Sequence, residues 1–258
     1  MIRYDVRERV ATITIDRPEK RNAMSYAMLR DFHAALADAG DDGDVGAVVI
    51  TGAGGAFCAG TDLADLADTP EDERGTRART PERPTRTWPI VACPKPVVGA
   101  IDGAAAGMGA ELATQCDVRI ASTRARFGWN FVHRGLVPDT GAGSFLLPRL
   151  IGPSAALRIL YSGEFVGADE ALRLGFVAAV VDPDDLAVAA DAEARRFLAG
   201  SPFALRRVKQ LVYEGMARPA DEHLRRTAEL LEECFRSDDH REGVAAFLER
   251  REAHFTGR

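Results

Sequence analysis

The sequence predicts an α/β fold, on three observations. Strand-like and helix-like apolar patterns alternate up to about residue 181. Beyond that point the patterns are helical only. Hydrophobic residues make up 46% of the 258, enough to fill a substantial core. The same break divides the chain into an expected core, residues 1–200, and a helical C-terminal section, residues 201–258.

The elements follow in order. Residues 10–15 (VATITI) alternate and are β-branched, which predicts a strand, and Asp16-Arg17-Pro18 ends it. Met24, Ala27, Met28, Leu29, Phe32, Leu36 and Ala39 have helical spacing and predict a helix over 24–39. GAVVIT (46–51) and VVGAI (97–101) are continuous apolar runs, as in strands buried on both faces. A helix is expected over 107–115, a strand over 117–121, and helices over 140–150, 154–162 and 168–174. FVAAVV (176–181) is the last expected strand. Helices are then expected over 184–199, from Ser201-Pro202 onward, over 220–236, and from an Asp239/Glu242 capping arrangement to about 250. Residues 68–87 carry almost nothing apolar and cannot offset their ordering entropy; a mobile loop, lid or surface insertion is expected there.

Composition narrows the function. A formal net charge of −6 gives no electrostatic case for nucleic acid. No apolar run approaches the roughly 20 residues that span a bilayer. The opening residues lack the apolar core of a signal peptide, so a cytoplasmic protein is expected. Cys58, Cys93, Cys116 and Cys234 are scattered without metal-ligand spacing, and free buried thiols are expected.

Two carboxylates stand alone in apolar surroundings. Glu111 is the one charged residue in GAAAGMGAELATQC (103–116), and Asp139 the one in GLVPDTGAGSFLLP (135–148). Burial raises a carboxyl pKa toward the range that acid–base catalysis requires. The alternative readings are a solvent-facing helix position for Glu111 and a plain N-cap for Asp139. Small-residue turns at 52–60 and 102–109 follow expected strands, and the second opens a helix. Free amides at such a turn suit a developing negative charge, although tight helix–strand packing would use the same residues. GAGGAF (52–57) and GMGAEL (107–112) both miss GxGxxG, no GxxxxGK[ST] occurs, and GAGSF (141–145) is not GxSxG.

Six segments in order resemble the enoyl-CoA hydratase/isomerase (crotonase) family over nearly the whole chain. They are DRPEKRNAM (16–24), VVITGAGGAFCAGTDL (48–63), KPVVGAIDGAAAGMGAELATQCDVRIAS (95–122), FGWNFVHRGLVPDTGAGSFLLPRLIG (127–152), GFVAAVV (175–181) and HREGVAAFLERREAHF (240–255). The resemblance implies a ββα superhelix core with a C-terminal trimerisation section. It puts oxyanion-hole amides on Thr61 and Met108 and a catalytic carboxylate on Glu111. The family's second glutamate falls on Phe131, a departure that favours isomerisation over hydration. Asp139 matches the 1,2-epoxyphenylacetyl-CoA isomerase branch, where an Asp at this position is the acid–base group; dienoyl-CoA isomerases and 4-chlorobenzoyl-CoA dehalogenases also have one.

The resemblance further implies an acyl-CoA substrate contacted at Arg21, Ala59, Asp62, Phe131 and Arg250. For the two arginines a solvated surface position is the alternative. Trp88 and Trp129 fall near the expected acyl pocket, or in the core. No metal is implied and no cofactor beyond the coenzyme A of the substrate; a homotrimer or a dimer of trimers is expected. Residues 64–92 are expected to select the acyl group. The rival reading is a homologue that binds acyl-CoA without chemistry.

Overall fold

Val10–Ile15 forms a strand, here β2, whose Ile13 and Ile15 are wholly buried. In this computed structural model, which describes residues 1–62, 65 and 88–258, it pairs antiparallel with Ile2–Arg7 (β1). The two-residue turn between them puts Glu8 and Arg9 at φ 46° and 69°. Such a turn normally carries Asn or Gly. That missing signal, and a β1 whose residues are mostly exposed, explain why the sequence does not announce this hairpin.

Parallel pairing continues from β2 through Ala47–Gly52 (β3), Val97–Ile101 (β4), Val118–Ser122 (β6) and Ala179–Val181 (β9), in the order β1-β2-β3-β4-β6-β9. Helix Tyr26–Asp41 is capped by Ser25 and buries Met28, Phe32, Leu36 and Ala39 in the larger of two core clusters. Helix Leu186–Leu198 brings Leu186, Ala190 and Ala194 against Val49, Val98 and Ile120 in the other. Parallel strands covered in this way read as unbroken apolar runs, as 46–51 and 97–101 do.

A second sheet is built from Ala104–Ala106 (β5), Arg126–Gly128 (β7) and Val166–Gly167 (β8), ordered β5-β7-β8. Its strands of two or three residues are too short to show a period, and none was expected. The expected strand over 176–181 shrinks to Ala179–Val181, because the Phe176 amide donates to Ala171 O and its ring goes into the core. The expected helix over 140–150 breaks at Leu146 into Ala142–Phe145 and Leu147–Ile151, with Pro148 in the first turn of the second piece.

The C-terminal helices are Pro202–Gly215, Ala220–Arg236 and Asp238–Glu249. Ser201 caps the first as expected, accepting from the Ala204 amide. The expected cap on Asp239 is corrected. Ser237 caps the last helix, and the Asp239 carboxylate instead accepts from Ser201 Oγ and from the Thr256 and Gly257 amides, tying down the end of the chain. Lys209 and Tyr213 both donate to Asp117, fastening Pro202–Gly215 to the start of β6. Among the described residues no helix is long and apolar enough to cross a membrane. The segment expected to be a loop or lid, 68–87, and most of 64–92 lie outside the described residues.

Candidate active site

Backbone pairing brings the two small-residue turns together. Cys58 bridges Ala105 in parallel, with Cys58 N donating to Ala104 O at 3.0 Å and Ala106 N to Cys58 O at 2.9 Å. Three residues further along each segment lie Thr61 and Met108. They meet: Thr61 Oγ1 is 3.9 Å from Met108 Sδ. Thr61 is also bridged to Met24, through Met24 N to Gly60 O and Asp62 N to Met24 O. That pattern leaves the N–H of Thr61 on the side away from Met24. Met108 is the first residue of helix Met108–Gln115, whose opening amides have no side-chain cap. Among the described residues neither amide hydrogen meets an acceptor. Gly107 makes the entry possible. Its φ of 52° and ψ of −121° mirror extended backbone, a region essentially confined to glycine.

Glu111 lies three positions beyond Met108 on the same helix, and residues at that spacing share a face. It is 0% exposed, which overturns the solvent-facing alternative. Its Oε1 accepts from the Gly143 amide at 2.8 Å and its Oε2 from Thr140 Oγ1 at 2.5 Å. A Cβ on Gly143 would lie 2.3 Å from Glu111 Oε1 and 2.7 Å from Trp129 Cδ1, so only glycine lets that amide approach. Burial pushes the Glu111 carboxyl up to about 7 against the pull of the Thr140 hydroxyl, with the nearby Asp139 charge acting in the same upward direction. The two lone carboxylates of the sequence are therefore neighbours.

Asp139 is not an N-cap; Gly141 holds that position before Ala142–Phe145. One side of Asp139 is open to solvent and the rest is crowded by protein. Crowding lifts its carboxyl to about 6, while the Thr140 amide and its own favour the charged form. Water on the open side tempers the rise. Phe131 is buried in the short helix Asn130–Arg134, its ring against Gly107 beside the Met108 amide. Trp129 is 1% exposed and stacks edge-on against Phe176, so it is a core residue at the edge of the site. Its Nε1 has no partner among the described residues.

The other expected contact residues are placed as follows. Ala59 N donates to Arg21 O at 3.0 Å, which sets these two residues side by side, with Arg21 exposed at φ 50°. Asp62 is buried and pairs with Arg17 at 2.8 Å. Arg250 is exposed as the C-cap of the last helix. Among the described residues no group of His, Cys, Asp and Glu could hold a metal ion. An apolar cavity of about 320 Å³ reaches Thr114 and Cys116 of the Glu111 helix, but neither Glu111 nor Asp139 lines it.

The raised carboxyls carry a stability cost with a definite sign. The folded chain holds these protons more tightly than the unfolded chain. The stabilisation from this tighter proton binding is fully present below the ordinary values of 4.5 for Glu111 and 3.8 for Asp139, and it is lost as pH rises through about 7 and about 6, where the cost of the buried charge appears. Glu111→Gln removes the buried charge. It is expected to gain stability over the parent between pH 5 and pH 8, on the order of 2 kcal/mol. Urea unfolding at the two pH values measures this; parallel curves for both proteins would refute it.

Sequence reasoning missed two residues of this site. Asn22 is 0% exposed and donates to Ala53 O at 2.8 Å and Ala56 O at 2.6 Å, holding the first turn in shape. Its signal was its place in the DRPEKRNAM segment, four residues after Pro18. Thr140 went unremarked because its partner is 29 residues away.

A family model described as enoyl-CoA hydratase/isomerase matches residues 5–258. A probable enoyl-CoA hydratase of Rhodobacter capsulatus is 41% identical over 260 aligned positions, covering 100% of this chain and 98% of the relative. The 1,2-epoxyphenylacetyl-CoA isomerase of Escherichia coli is 35% identical, covering 98% and 97%. The crystal structure of an enoyl-CoA hydratase from Bacillus anthracis superimposes with a TM-score of 0.92 at 30% identity, covering 100% of this chain and 99% of that one.

Proposed function

The chain belongs to the enoyl-CoA hydratase/isomerase family, and from that premise we propose that it processes acyl-CoA thioesters through an enolate held by the Thr61 and Met108 amides. The observation that carries this reading is the pairing that brings residues 61 and 108 together, each with an amide that meets no acceptor among the described residues, next to a buried Glu111 on the Met108 helix. The thioester oxygen takes both N–H bonds. As a proton leaves the carbon next to the carbonyl, negative charge moves onto that oxygen, and fixed donors stabilise it without reorganising. Glu111 and Asp139 both titrate close to neutrality, so one serves as base while the other carries a proton. These raised values speak for chemistry over passive binding.

For the overall reaction we favour isomerisation: a proton is taken next to the carbonyl and another is returned further along the chain, moving the double bond. Phe131 supports this, because a buried ring beside the Met108 amide leaves no second carboxylate there to hold water. Hydration is the second reading. Relatives named enoyl-CoA hydratase favour it, and Asp139, open to solvent on one side, is suited to delivering water. The absorbance of the conjugated enoyl thioester separates the two. A rise with a 3-enoyl-CoA is expected for isomerisation, and a fall with crotonyl-CoA for hydration. Calorimetric binding of either thioester with no absorbance change would reject the enzyme in favour of a carrier.

We further propose that the chain assembles as a trimer. Val208, Val212, Leu231, Phe235, Phe247 and Leu248 of the C-terminal helices stand 50–82% exposed, apolar side chains that neighbouring copies would cover. Light scattering is expected to give three or six times the mass of the chain; a monomer would sink this part of the proposal.

A further inference from the structure

We infer that Thr140 is a positioning residue whose hydroxyl fixes the orientation and the ionisation of Glu111. The inference rests on Glu111 acting as the base proposed above. Three contacts restrain Thr140. Its Oγ1 accepts from the Ala142 amide at 3.3 Å, its carbonyl accepts from Trp88 Nε1 at 3.0 Å, and its Oγ1 lies 2.5 Å from Glu111 Oε2. Because Ala142 approaches the hydroxyl oxygen with an N–H, the hydroxyl hydrogen points to the carboxylate. Glu111 is thus gripped at both ends, Oε2 by a side-chain hydroxyl and Oε1 by the Gly143 amide. Bonds to both oxygens fix the plane of the carboxylate.

The groups facing Glu111 act in opposite directions. Burial and the Asp139 charge favour its neutral form; the Thr140 hydroxyl and the Gly143 and Ala142 amides favour its charged form. Asp139 also faces the Cys58 thiol, which burial keeps neutral by pushing it up to about 12. The unpartnered Trp129 Nε1 adjoins the same carboxylate without bonding to it. Of the donors to Glu111, only Thr140 can be deleted by a side-chain change.

Removing this charge-assisted bond shifts the ionisation equilibrium of Glu111 by about tenfold toward the protonated form. Thr140→Val keeps the shape and removes the hydroxyl; Thr140→Ser restores it. The test is the pH dependence of the Glu111 carboxyl infrared band, assigned by its loss in Glu111→Gln, read beside kcat and KM for an enoyl-CoA. In Thr140→Val the band is expected to titrate at higher pH. kcat is expected to fall about tenfold at pH 6 and to recover by pH 9. KM holds, and Thr140→Ser behaves as the parent. A second variant guards against misfolding. Trp88→Phe keeps a ring beside Phe145 but frees the Thr140 carbonyl, and it should move the band in the same direction by a smaller amount. An unmoved Glu111 band in Thr140→Val overturns the inference, as does a loss of kcat that is equal at every pH. Full turnover in Glu111→Gln instead rejects the assignment of the base, and the infrared titration still judges the grip of Thr140 on Glu111.

Discussion

Glu111→Gln lowers kcat by about a thousandfold and leaves KM close to that of the parent. The size follows from general acid–base catalysis, which contributes roughly 10²–10⁴-fold when the group is placed at the reacting proton. Gln retains the shape, and its carbonyl oxygen can still accept from the Gly143 amide, so the cavity persists while the proton acceptor is lost. The loss therefore belongs to the transition state and appears in kcat. Asp139 is a neighbour that already titrates near 6 and takes over part of the duty, which is why the effect stops short of abolition. Adding Asp139→Asn to Glu111→Gln should then remove the residue of activity. Steady-state rates on the better of the two enoyl-CoA substrates check both. A Glu111→Gln enzyme with more than a tenth of parental kcat would show that the base lies elsewhere.

Met108→Pro removes the second largest share, about 10²–10³-fold in kcat, by deleting one N–H from the oxyanion site. The substitution suits this position for a structural reason. Met108 is the first residue of its helix, where proline is well tolerated because the amide there has no helical partner. The restriction that proline imposes on its predecessor falls on Gly107, which has no Cβ to clash. The helix should survive, and circular dichroism verifies that. Met108→Ala is the control: it trims the side chain and keeps the N–H, so its kcat should stay within a few-fold of the parent. Equal losses in the two variants would assign the effect to the methionine side chain and not to its amide.

How much of this was legible in the sequence depends on how far apart the partners lie. The buried strands at 46–51 and 97–101 and the helix expected over 24–39 announce themselves, because burial writes a local apolar pattern. The loneliness of Glu111 and Asp139 in apolar windows was visible too, but not that they adjoin. Their proximity depends on the Gly143 amide reaching Glu111 across 32 residues, which no local period encodes. The three-stranded sheet was hidden for a related reason. Its strands are held by what they pair with, Ala105 with Phe127 and Phe127 with Val166, and two or three residues carry no signal of their own. Asp239 misled because a carboxylate near a helix start looks the same whether it caps its own helix or a distant segment.

The Cys58–Ala105 bridge sets the spacing of the two amides through main-chain bonds alone. On the proposed reading, a side-chain mutation at 61 or 108 can thus reshape the walls around a substrate while the two main-chain donors stay in place. Selectivity and reactivity are separately adjustable in such a scaffold, which leaves acyl preference free to drift across descendants that keep one shared way of stabilising charge.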